Sequence, residues 1–527
     1  MMPSKSFVKT ATTVLLVILS ISAYAAAKKP SLRFRVGMED PATHYYHVEL
    51  RCEGSDKKKM NFKLPAWTPG YYWVMDFAKN VIRFNAETGS GKKLDWDKVD
   101  KNNWEVDTYD AGVVIITYDV FANTHSVADP FIDESHAYIS TAGVFMHPEG
   151  SLNTPVTVSL QPYRKWSVIS TGLDMVAGEP NTYSATDFDV LYDSPFYIGN
   201  QKTMLFEVKG IQHTVAMENP AIFDTVRLVG DLKKMVSAAT DLMGHIPYKH
   251  YTFIIMGPGN GGLEHRNSTA VFSSARYTMD TKSSYNAWLS FLAHEYFHLY
   301  NIKAIRPIAL GPFNYDKENL THMLWVSEGF TVYYEYAVLN RAGLLTRQEL
   351  LNSLTGDIAK FENVPGHQLQ TATASSYDTW IQFFNKNENA ANTTISYYDK
   401  GCALGALLDL KIRNETKNKK SLDDVMKTLY KDYYQGKKRG FTDLEFRQVC
   451  ETVAGTSLEE IFSYASTVKD IDYQKYFAYG GLQIDLSPLP TEVNRTETDK
   501  FIRRSFKLTV TDHPSALQTE ILNGIAK

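Results

Sequence analysis

The pattern of hydrophobic residues changes near Asp231, and this change constrains the fold more than any other feature of the sequence. From about residue 31 to residue 215, short alternating or β-branched runs are separated by Gly, Pro, Asn and Asp, as is typical of strands and turns. Examples of such runs are residues 45–51, 113–120 and 156–160. From Asp231 to about residue 468 a helical period takes over. A β-rich part is therefore expected to precede a mainly helical part, in a chain of 527 residues that suits three or four domains.

Local signals add detail to the helical part. Thr346 and Thr442 are each followed three residues later by a glutamate, and this spacing predicts capping boxes. Two helices are therefore expected to begin directly after these threonines. Beyond residue 482 the pattern is short and mixed, with one predicted strand at residues 506–510.

The N-terminus has the features of an export signal. Lys5 and Lys9 form a basic start, residues 14–21 form a short apolar run, and Ala23-Tyr24-Ala25 fits the cleavage pattern of small residues. The apolar run is shorter than the roughly 20 residues that a membrane-spanning helix needs. Residues 1–25 are therefore expected to be a signal peptide, with an uncleaved anchor helix as the alternative. The mature protein is expected to be periplasmic or secreted, without a membrane span.

Composition excludes several classes of protein and partner. Apolar residues make up 44% of the chain and charged residues 22%, close to average globular usage, so a disordered chain is excluded. Fifty-nine acidic and 55 basic residues give a net charge of −4, so bulk electrostatics would not recruit nucleic acid. Three cysteines allow at most one disulfide and are too few for a cysteine metal cage.

The strongest local motif is an H-E-x-x-H formed by His294, Glu295 and His298. It lies in residues 288–300, a run without Pro or Gly that is long enough for a helix. Histidines at i and i+4 project from one helix face and can bind one Zn²⁺, and the intervening glutamate can take a proton from water beside the metal. The alternative is a pair of core histidines with a solvated glutamate.

A zinc site of this kind needs a third protein ligand. Glu328 and Glu335 both lie in a second apolar, aromatic run with a helical pattern. A lone carboxylate on such a helix is costly to bury unless it is paired, and a metal would supply the pairing. Burial favours Glu328, with Glu335 as the rival and a surface carboxylate as the alternative for either residue.

His-Glu-x-x-His followed by Trp-x-x-Glu-Gly-Phe resembles the gluzincin aminopeptidases, and within them the glycyl aminopeptidase family of zinc metallopeptidases, which often carries a PDZ domain. Four further blocks carry the resemblance: residues 67–73, 261–268, 298–307 and 396–413. It extends over residues 31–480 and implies a multi-domain α+β fold. The expected parts are a β-sandwich-like domain (31–216), a thermolysin-like zinc catalytic domain (217–345), a helical domain (346–480) and a short C-terminal extension without a complete PDZ domain (481–527).

The resemblance also implies roles for particular residues. In the related aminopeptidases a glutamate on a glycine-rich edge strand binds the substrate's free α-amine, and Glu264, with Gly261 and Gly262 beside it, matches that position. Glu328 matches the third zinc ligand. Tyr398 matches a tyrosine that donates a hydrogen bond to the oxyanion. The alternatives are a turn-capping role for Glu264 and a packing role for Tyr398.

A G-x-G-x-x-G pattern at residues 257–262 would suggest a dinucleotide site, but that fingerprint needs a helix directly after it. The residues that follow suit an edge strand instead. Nucleotide binding is therefore not expected.

Motif and resemblance together predict an exported aminopeptidase with one Zn²⁺ per chain, acting on peptides with a free N-terminus. The family preference implies N-terminal Gly or Ala. A zinc endopeptidase using the same site and a catalytically silent peptide-binding protein are the alternatives. The oligomeric state and the role of Arg306 stay open.

Overall fold

A computed structural model describes residues 31–54, 57–219, 223–273, 279–489 and 502–527. The predicted signal peptide, residues 1–25, lies outside the described residues. Within the described residues, no helix combines the length and the apolar character needed to cross a membrane.

The first part of the chain is built almost entirely of strands, as its alternating pattern predicts. The three runs at residues 45–51, 113–120 and 156–160 all form strands. The elements of this part are β1 (Ser31–Gly37), β2 (Tyr45–Glu53), β3 (Lys59–Lys63), β4 (Val81–Thr88), β5 (Trp96–Asp100), β6 (Asn103–Asp107), β7 (Val113–Phe121), β8 (Phe131–Ile132), β9 (Ala137–Ile139), β10 (His147–Pro148), β11 (Val156–Gln161), β12 (Val168–Thr171), β13 (Asp174–Met175), β14 (Thr182–Ala185), α1 (Phe188–Tyr192) and β15 (Phe196–Gly199).

These strands form three sheets around one hydrophobic core. The largest sheet has seven strands in the order β13-β14-β11-β1-β2-β7-β4, and two four-stranded sheets have the orders β10-β3-β6-β5 and β12-β15-β9-β8. Alternate residues of β2, β6 and β11 are buried, because side chains alternate between the faces of a sheet. Leu50, Phe62 and Ile198, one from each sheet, are fully buried in the same core cluster.

A five-stranded sheet and two long helices follow. The elements are β16 (Lys202–Val208), β17 (Ile211–Met217), α2 (Thr225–Met243), β18 (His250–Pro258), β19 (Gly262–Glu264), β20 (Ser268–Ser273) and α3 (Lys282–Phe297). The strand order is β16-β17-β18-β20-β19, with β19 antiparallel to β20. The short glycine-containing strand β19 is therefore an edge strand. It is followed by β20 and not by the helix that a dinucleotide site requires.

Helices dominate the rest of the described chain. They are α4 (Leu324–Ser327), α5 (Gly329–Arg341), α6 (Arg347–Glu362), α7 (Ala372–Tyr377), α8 (Thr379–Gln382), α9 (Ala390–Thr393), α10 (Tyr397–Glu415), α11 (Leu422–Leu429), a π-helix (Tyr430–Lys437), α12 (Asp443–Ala454), α13 (Glu459–Ser466), α14 (Tyr473–Ala478) and, after β21 (Leu482–Asp485) and β22 (Lys507–Val510), α15 (Ala516–Ile525). Short 3-10 helices occupy Pro41–Thr43, Phe77–Asn80, Thr141–Gly143, Ile308–Leu310 and Pro365–Gln368.

Both predicted capping boxes are confirmed. Thr346 and Glu349 close the start of α6, and Thr442 and Glu445 close the start of α12, each pair with reciprocal side-chain to backbone hydrogen bonds. The strand predicted at residues 506–510 is found as β22. The expected mixed α+β fold, with a β-rich N-terminal part followed by helices, is confirmed, while the exact domain boundaries stay predictions.

One loop of the β-rich part belongs to the core of the helical part. Trp67 and Tyr72, between β3 and β4, are buried in the large cluster that contains α3, α5 and α10. The indole N–H of Trp67 donates a 2.8 Å hydrogen bond to the carbonyl of Asn314, and the backbone N–H of Ala66 donates one to Tyr315. The loop of residues 64–76 therefore fastens the two parts together beside the site described next.

Candidate active site

The two histidines of the H-E-x-x-H motif face each other at the end of α3. The Nε2 atoms of His294 and His298 lie 3.0 Å apart. The helix ends at Phe297, three residues before the predicted end, but His298 keeps right-handed helical dihedrals as its C-cap. The i, i+4 geometry that a shared metal requires is therefore preserved.

Glu328 approaches the same two nitrogen atoms. Its Oε2 lies 3.1 Å from Nε2 of His298 and 3.6 Å from Nε2 of His294. The residue occupies the junction between α4 and α5 and is only 3% exposed. Burial would raise the pKa of this carboxyl, but His298 and His294 outweigh that effect and hold the pKa well below its usual value.

The donor set fits a zinc ion. Among the described residues, His294, His298 and Glu328 form a group that could hold a metal ion. One ligand atom from each lies within 4.8 Å of those of the other two. Two imidazole nitrogens and one carboxylate oxygen are ligands that zinc accepts, with a further position left for water or substrate.

The outer nitrogens of both histidines are also engaged. Nδ1 of His294 lies 2.9 Å from Oε2 of Glu335, and Nδ1 of His298 lies 2.8 Å from the carbonyl of Asn301. Such contacts fix the tautomer that leaves Nε2 free for a metal. The two glutamates thus have different surroundings, and the position of Glu328 agrees with its expected role as the third ligand. Glu328 faces the Nε2 atoms, and Glu335 supports His294 from behind.

Tyr72 is a contact of the site that sequence reasoning missed. Its hydroxyl donates a 3.0 Å hydrogen bond to Oε1 of Glu328, and both residues are buried. Tyr72 lies in the block of residues 67–73, which carries the resemblance but no chemistry of its own in the sequence. This block was the sequence signal that could have pointed to Tyr72, although a sequence block does not show which residues its tyrosines contact.

Glu295 lies beside the histidines with only 5% of its surface exposed. Burial raises the pKa of its carboxyl to about 7, against the opposing effect of His294 and His298. A carboxyl with a pKa near neutrality can both accept and return a proton. Gly262 of β19 leaves room for it, because a Cβ at that position would lie 2.4 Å from Oε1 of Glu295.

Glu264 ends the edge strand β19 and is 4% exposed. Its Oε1 lies 3.5 Å from Nζ of Lys303, which is itself 2.8 Å from Asp193. On the other side the carboxylate meets Gly70, which has a φ of +92° and at which a Cβ would lie 2.6 Å from Oε1. Only glycine fits that backbone conformation and that close approach without strain. Lys303, Asp193 and Gly70 were not predicted as site residues.

Tyr398 lies in the first turn of α10, with its ring centre 6.1 Å from that of His294. The ring of its neighbour Tyr397 stacks on that of Tyr398, with ring centres 4.8 Å apart, and the hydroxyl of Tyr397 lies 2.9 Å from that of Thr379. The helix α10 can come this close because Gly329 and Gly401 meet without side chains. A Cβ at Gly329 would lie 2.3 Å from Cα of Gly401.

All the residues predicted for the site border one cavity of about 390 Å³. Its lining is Gly70, Tyr71, His125, Ser126, Val127, Asn260, Gly261, Gly262, Glu264, His294, Glu295, His298, Glu328, Phe384 and Tyr398. A separate cavity of about 570 Å³ shares Gly70 and Glu264 with it and includes Arg306 in its wall. Arg306 therefore borders the neighbouring cavity and not the one that contains the histidines.

Two protein-family models match the chain. The model described as Peptidase M61 N-terminal domain matches residues 33–200, and the one described as M61 glycyl aminopeptidase matches residues 287–404. Together they cover more than half of the chain. No curated protein matches the sequence.

Solved structures share the fold. An aminopeptidase N family protein from Idiomarina loihiensis is 28% identical, with a TM-score of 0.82, over 88% of this chain and 82% of that one. An M1 zinc metallopeptidase from Deinococcus radiodurans is 12% identical, with a TM-score of 0.51, over 84% of this chain and 95% of that one. A mutant of the M1 enzyme bound to a Tyr-Ser-Ala substrate is 13% identical, with a TM-score of 0.50, over 84% and 94%. At these identities the two Deinococcus structures show a shared fold only.

The two family models agree with the resemblance that the motifs carry. One matches most of the β-rich part, and the other contains the H-E-x-x-H motif, Glu328 and Tyr398. The chain therefore belongs to the M61 glycyl aminopeptidase family of metallo-aminopeptidases.

Proposed function

We propose that this chain is an exported zinc aminopeptidase that removes N-terminal glycine or alanine from peptides. The observation that carries the proposal is that Glu264, a buried carboxylate on an edge strand, borders the same cavity as His294, His298 and Glu328. A carboxylate held beside a metal site can select substrates by their free α-ammonium group. Family membership supports the same reaction class.

His294, His298 and Glu328 would hold one Zn²⁺ per chain. When bound, zinc supplies a Lewis acid that polarises the scissile carbonyl and makes water more acidic. Glu335 and the Asn301 carbonyl hold the imidazoles in the orientation that this requires.

Glu295 handles the protons of the reaction. Its carboxylate takes a proton from the attacking water and then gives it to the leaving amine. Burial raises the pKa of this carboxyl, and a raised pKa makes it a better base toward the water than an ordinary carboxylate. The space beside Gly262 keeps this carboxylate free to reach the water.

Glu264 and Tyr398 position the substrate and stabilise the transition state. The Glu264 carboxylate pairs with the α-ammonium, and Gly261 and Gly262 allow the peptide backbone to approach the edge strand closely. The Tyr398 hydroxyl donates a hydrogen bond to the oxyanion that forms when water attacks the carbonyl.

The preference for glycine or alanine and the export of the protein rest on different arguments. The first follows the family to which the chain belongs. The second follows the pattern of residues 1–25 in the sequence.

The deciding experiment compares free and acetylated peptides that begin with Gly or Ala. Acetylation removes the charge that Glu264 would bind, so cleavage is expected to disappear. Glu264→Ala should cripple hydrolysis of the free peptides while zinc content stays that of the wild type. Equal rates on free and acetylated peptides would point to an endopeptidase.

Metal analysis completes the test. The mature protein should hold one zinc per chain, and Glu295→Gln should keep the zinc while losing nearly all turnover, because Glu295 handles protons and does not bind the metal. Full activity in Glu295→Gln would contradict the mechanism. A zinc-loaded wild-type protein that cleaves no peptide would identify a silent peptide-binding protein.

A further inference from the structure

Two aromatic side chains from distant parts of the chain meet in the wall of the active-site cavity. Tyr71 belongs to the loop of residues 64–76, and Phe384 follows α8 in the helical part. Their ring centres lie 4.5 Å apart with the planes inclined by 24°, and both residues border the cavity. Trp73 supports Phe384 from outside the cavity, with ring centres 5.8 Å apart.

The chain neighbours of this pair contact the two residues proposed to hold the ends of the substrate's N-terminal residue. Tyr71 follows Gly70, whose α-carbon lies against the Glu264 carboxylate. Phe384 follows Phe383, whose ring centre is 5.4 Å from that of Tyr398. The pair is therefore anchored next to the proposed amine site at one end and next to the proposed oxyanion donor at the other.

A substrate bound in this way must place its first side chain between those two ends. The α-carbon of the N-terminal residue joins the amine, which pairs with Glu264, to the carbonyl that faces Tyr398. Its side chain leaves from that α-carbon into the same cavity of about 390 Å³. Tyr71 is half-buried and Phe384 is 36% exposed, so the stacked rings form the solvent-side wall of this cavity.

We propose that Tyr71 and Phe384 form the wall that restricts the N-terminal side chain of the substrate to a hydrogen or a methyl group. This inference rests on the proposed aminopeptidase function and assigns its side-chain selectivity to two residues. Where a substrate side chain packs against apolar groups, one extra methylene changes kcat/KM by roughly 10- to 200-fold. Leucine and phenylalanine should thus be disfavoured by at least the lower end of that range.

The first test measures kcat/KM for p-nitroanilides of Gly, Ala, Leu and Phe. Phe384→Ala and Tyr71→Ala should each raise the ratio of Leu to Gly activity by about tenfold or more, since truncation opens space where the longer side chain must go. Phe384→Tyr retains the ring and should keep the wild-type ratio. Ile381→Ala is the matched control, because Ile381 lies on α8 but is 64% exposed and does not border the cavity.

A second measurement is independent of turnover. In zinc-loaded protein that carries Glu295→Gln, the affinities for Gly-Gly-Gly and Leu-Gly-Gly are compared by calorimetry. Adding Phe384→Ala should lower the ratio of the Kd for Leu-Gly-Gly to the Kd for Gly-Gly-Gly about tenfold. Zinc content, measured for every variant, separates a change of selectivity from damage to the metal site.

The outcomes distinguish this inference from the proposed function. Cleavage of Gly and Ala substrates with unchanged Leu to Gly ratios in both alanine variants would overturn the aromatic wall and leave the aminopeptidase intact. A wild-type enzyme that cleaves Leu as fast as Gly would overturn it as well. Acetylated peptides cleaved as fast as free ones would overturn the proposed function, and the calorimetric comparison would still decide whether the wall excludes large side chains.

Discussion

The hydroxyl of Tyr72 donates a 3.0 Å hydrogen bond to Oε1 of Glu328, while Oε2 of the same carboxylate faces His294 and His298. Tyr72 comes from the β-rich part and Glu328 from the junction of α4 and α5. Both oxygens of a buried carboxylate are thus engaged, one by a phenol and one by the proposed metal site. The β-rich part therefore helps to orient the carboxylate that we propose as a zinc ligand.

Tyr72→Phe should weaken zinc binding about 10- to 100-fold, the usual effect of removing a hydrogen bond to a metal ligand. The ring remains, so packing of the loop should change little. Competition with a fluorescent chelator measures the zinc affinity. Tyr118→Phe serves as the control, because Tyr118 is equally buried and donates to the carbonyl of Val144 far from the site. Equal zinc affinities in wild type and Tyr72→Phe would mean that this contact does not orient Glu328.

Glu328 and Glu335 should differ in the size of their effects on the metal. Glu328→Ala removes a proposed ligand and should leave little or no bound zinc at micromolar concentrations. Glu335→Ala removes only the partner of Nδ1 of His294, so zinc affinity should fall about 10- to 100-fold. Metal analysis after dialysis of both variants checks the order. The reverse order would make Glu335 the ligand.

These two glutamates also illustrate what the sequence could and could not predict. The H-E-x-x-H helix and the two capping boxes follow from short spacings on one helix, and local patterns are sufficient for such features. Glu328 and Glu335 are two turns apart on one apolar run, so spacing alone could not assign their separate roles. Tyr72 contacts Glu328 across 256 residues of chain, and Lys303 contacts Asp193 across 110. Contacts of that kind depend on how the sheets and helices pack, which no local pattern encodes.

Gly262→Ala should lower kcat about a hundredfold with zinc still bound. The added methyl would lie 2.4 Å from Oε1 of Glu295 and would displace that carboxylate, and a misplacement of about 1 Å can cost a hundredfold. Steady-state kinetics and zinc content are the measurements. Gly356→Ala on α6 is the control, since a Cβ there meets nothing within 4 Å and should slightly stabilise the helix. Wild-type kcat in Gly262→Ala would show that Glu295 does not need this space.

Lys400 should make the folding stability depend on alkaline pH. It is 3% exposed on α10, and burial lowers its pKa from 10.5 to about 8. Because the folded state binds this proton less tightly than the unfolded state, the group destabilises the protein below pH 8. That cost, at most about 3 kcal/mol, is relieved as pH rises from 8 to 10.5.

Lys400→Met should accordingly raise the unfolding temperature at pH 7, and its advantage over the wild type should shrink between pH 8 and pH 10. Thermal unfolding followed by circular dichroism checks both parts. Lys411→Met, which replaces a lysine paired with Glu415 on the same helix, is the control for the substitution itself. A constant difference between wild type and Lys400→Met across this range would mean that Lys400 keeps its proton.

Tyr398→Phe should lower kcat about a hundredfold while KM stays nearly constant. If the hydroxyl stabilises the oxyanion, the hydrogen bond forms mainly in the transition state, and loss of one such donor typically has this effect. The ring that lies 6.1 Å from His294 is retained, so zinc content should match that of the wild type.

Tyr397→Phe is the comparison variant, because Tyr397 does not border the cavity, although its hydroxyl contacts both Thr379 and Tyr398. Loss of the Tyr397 hydroxyl should cost about 1 kcal/mol of stability at most and lower kcat far less than Tyr398→Phe does. If the two substitutions exchanged their effects, the oxyanion donor would be Tyr397. If neither lowered kcat, Tyr398 would be a packing residue and another group would have to donate to the oxyanion.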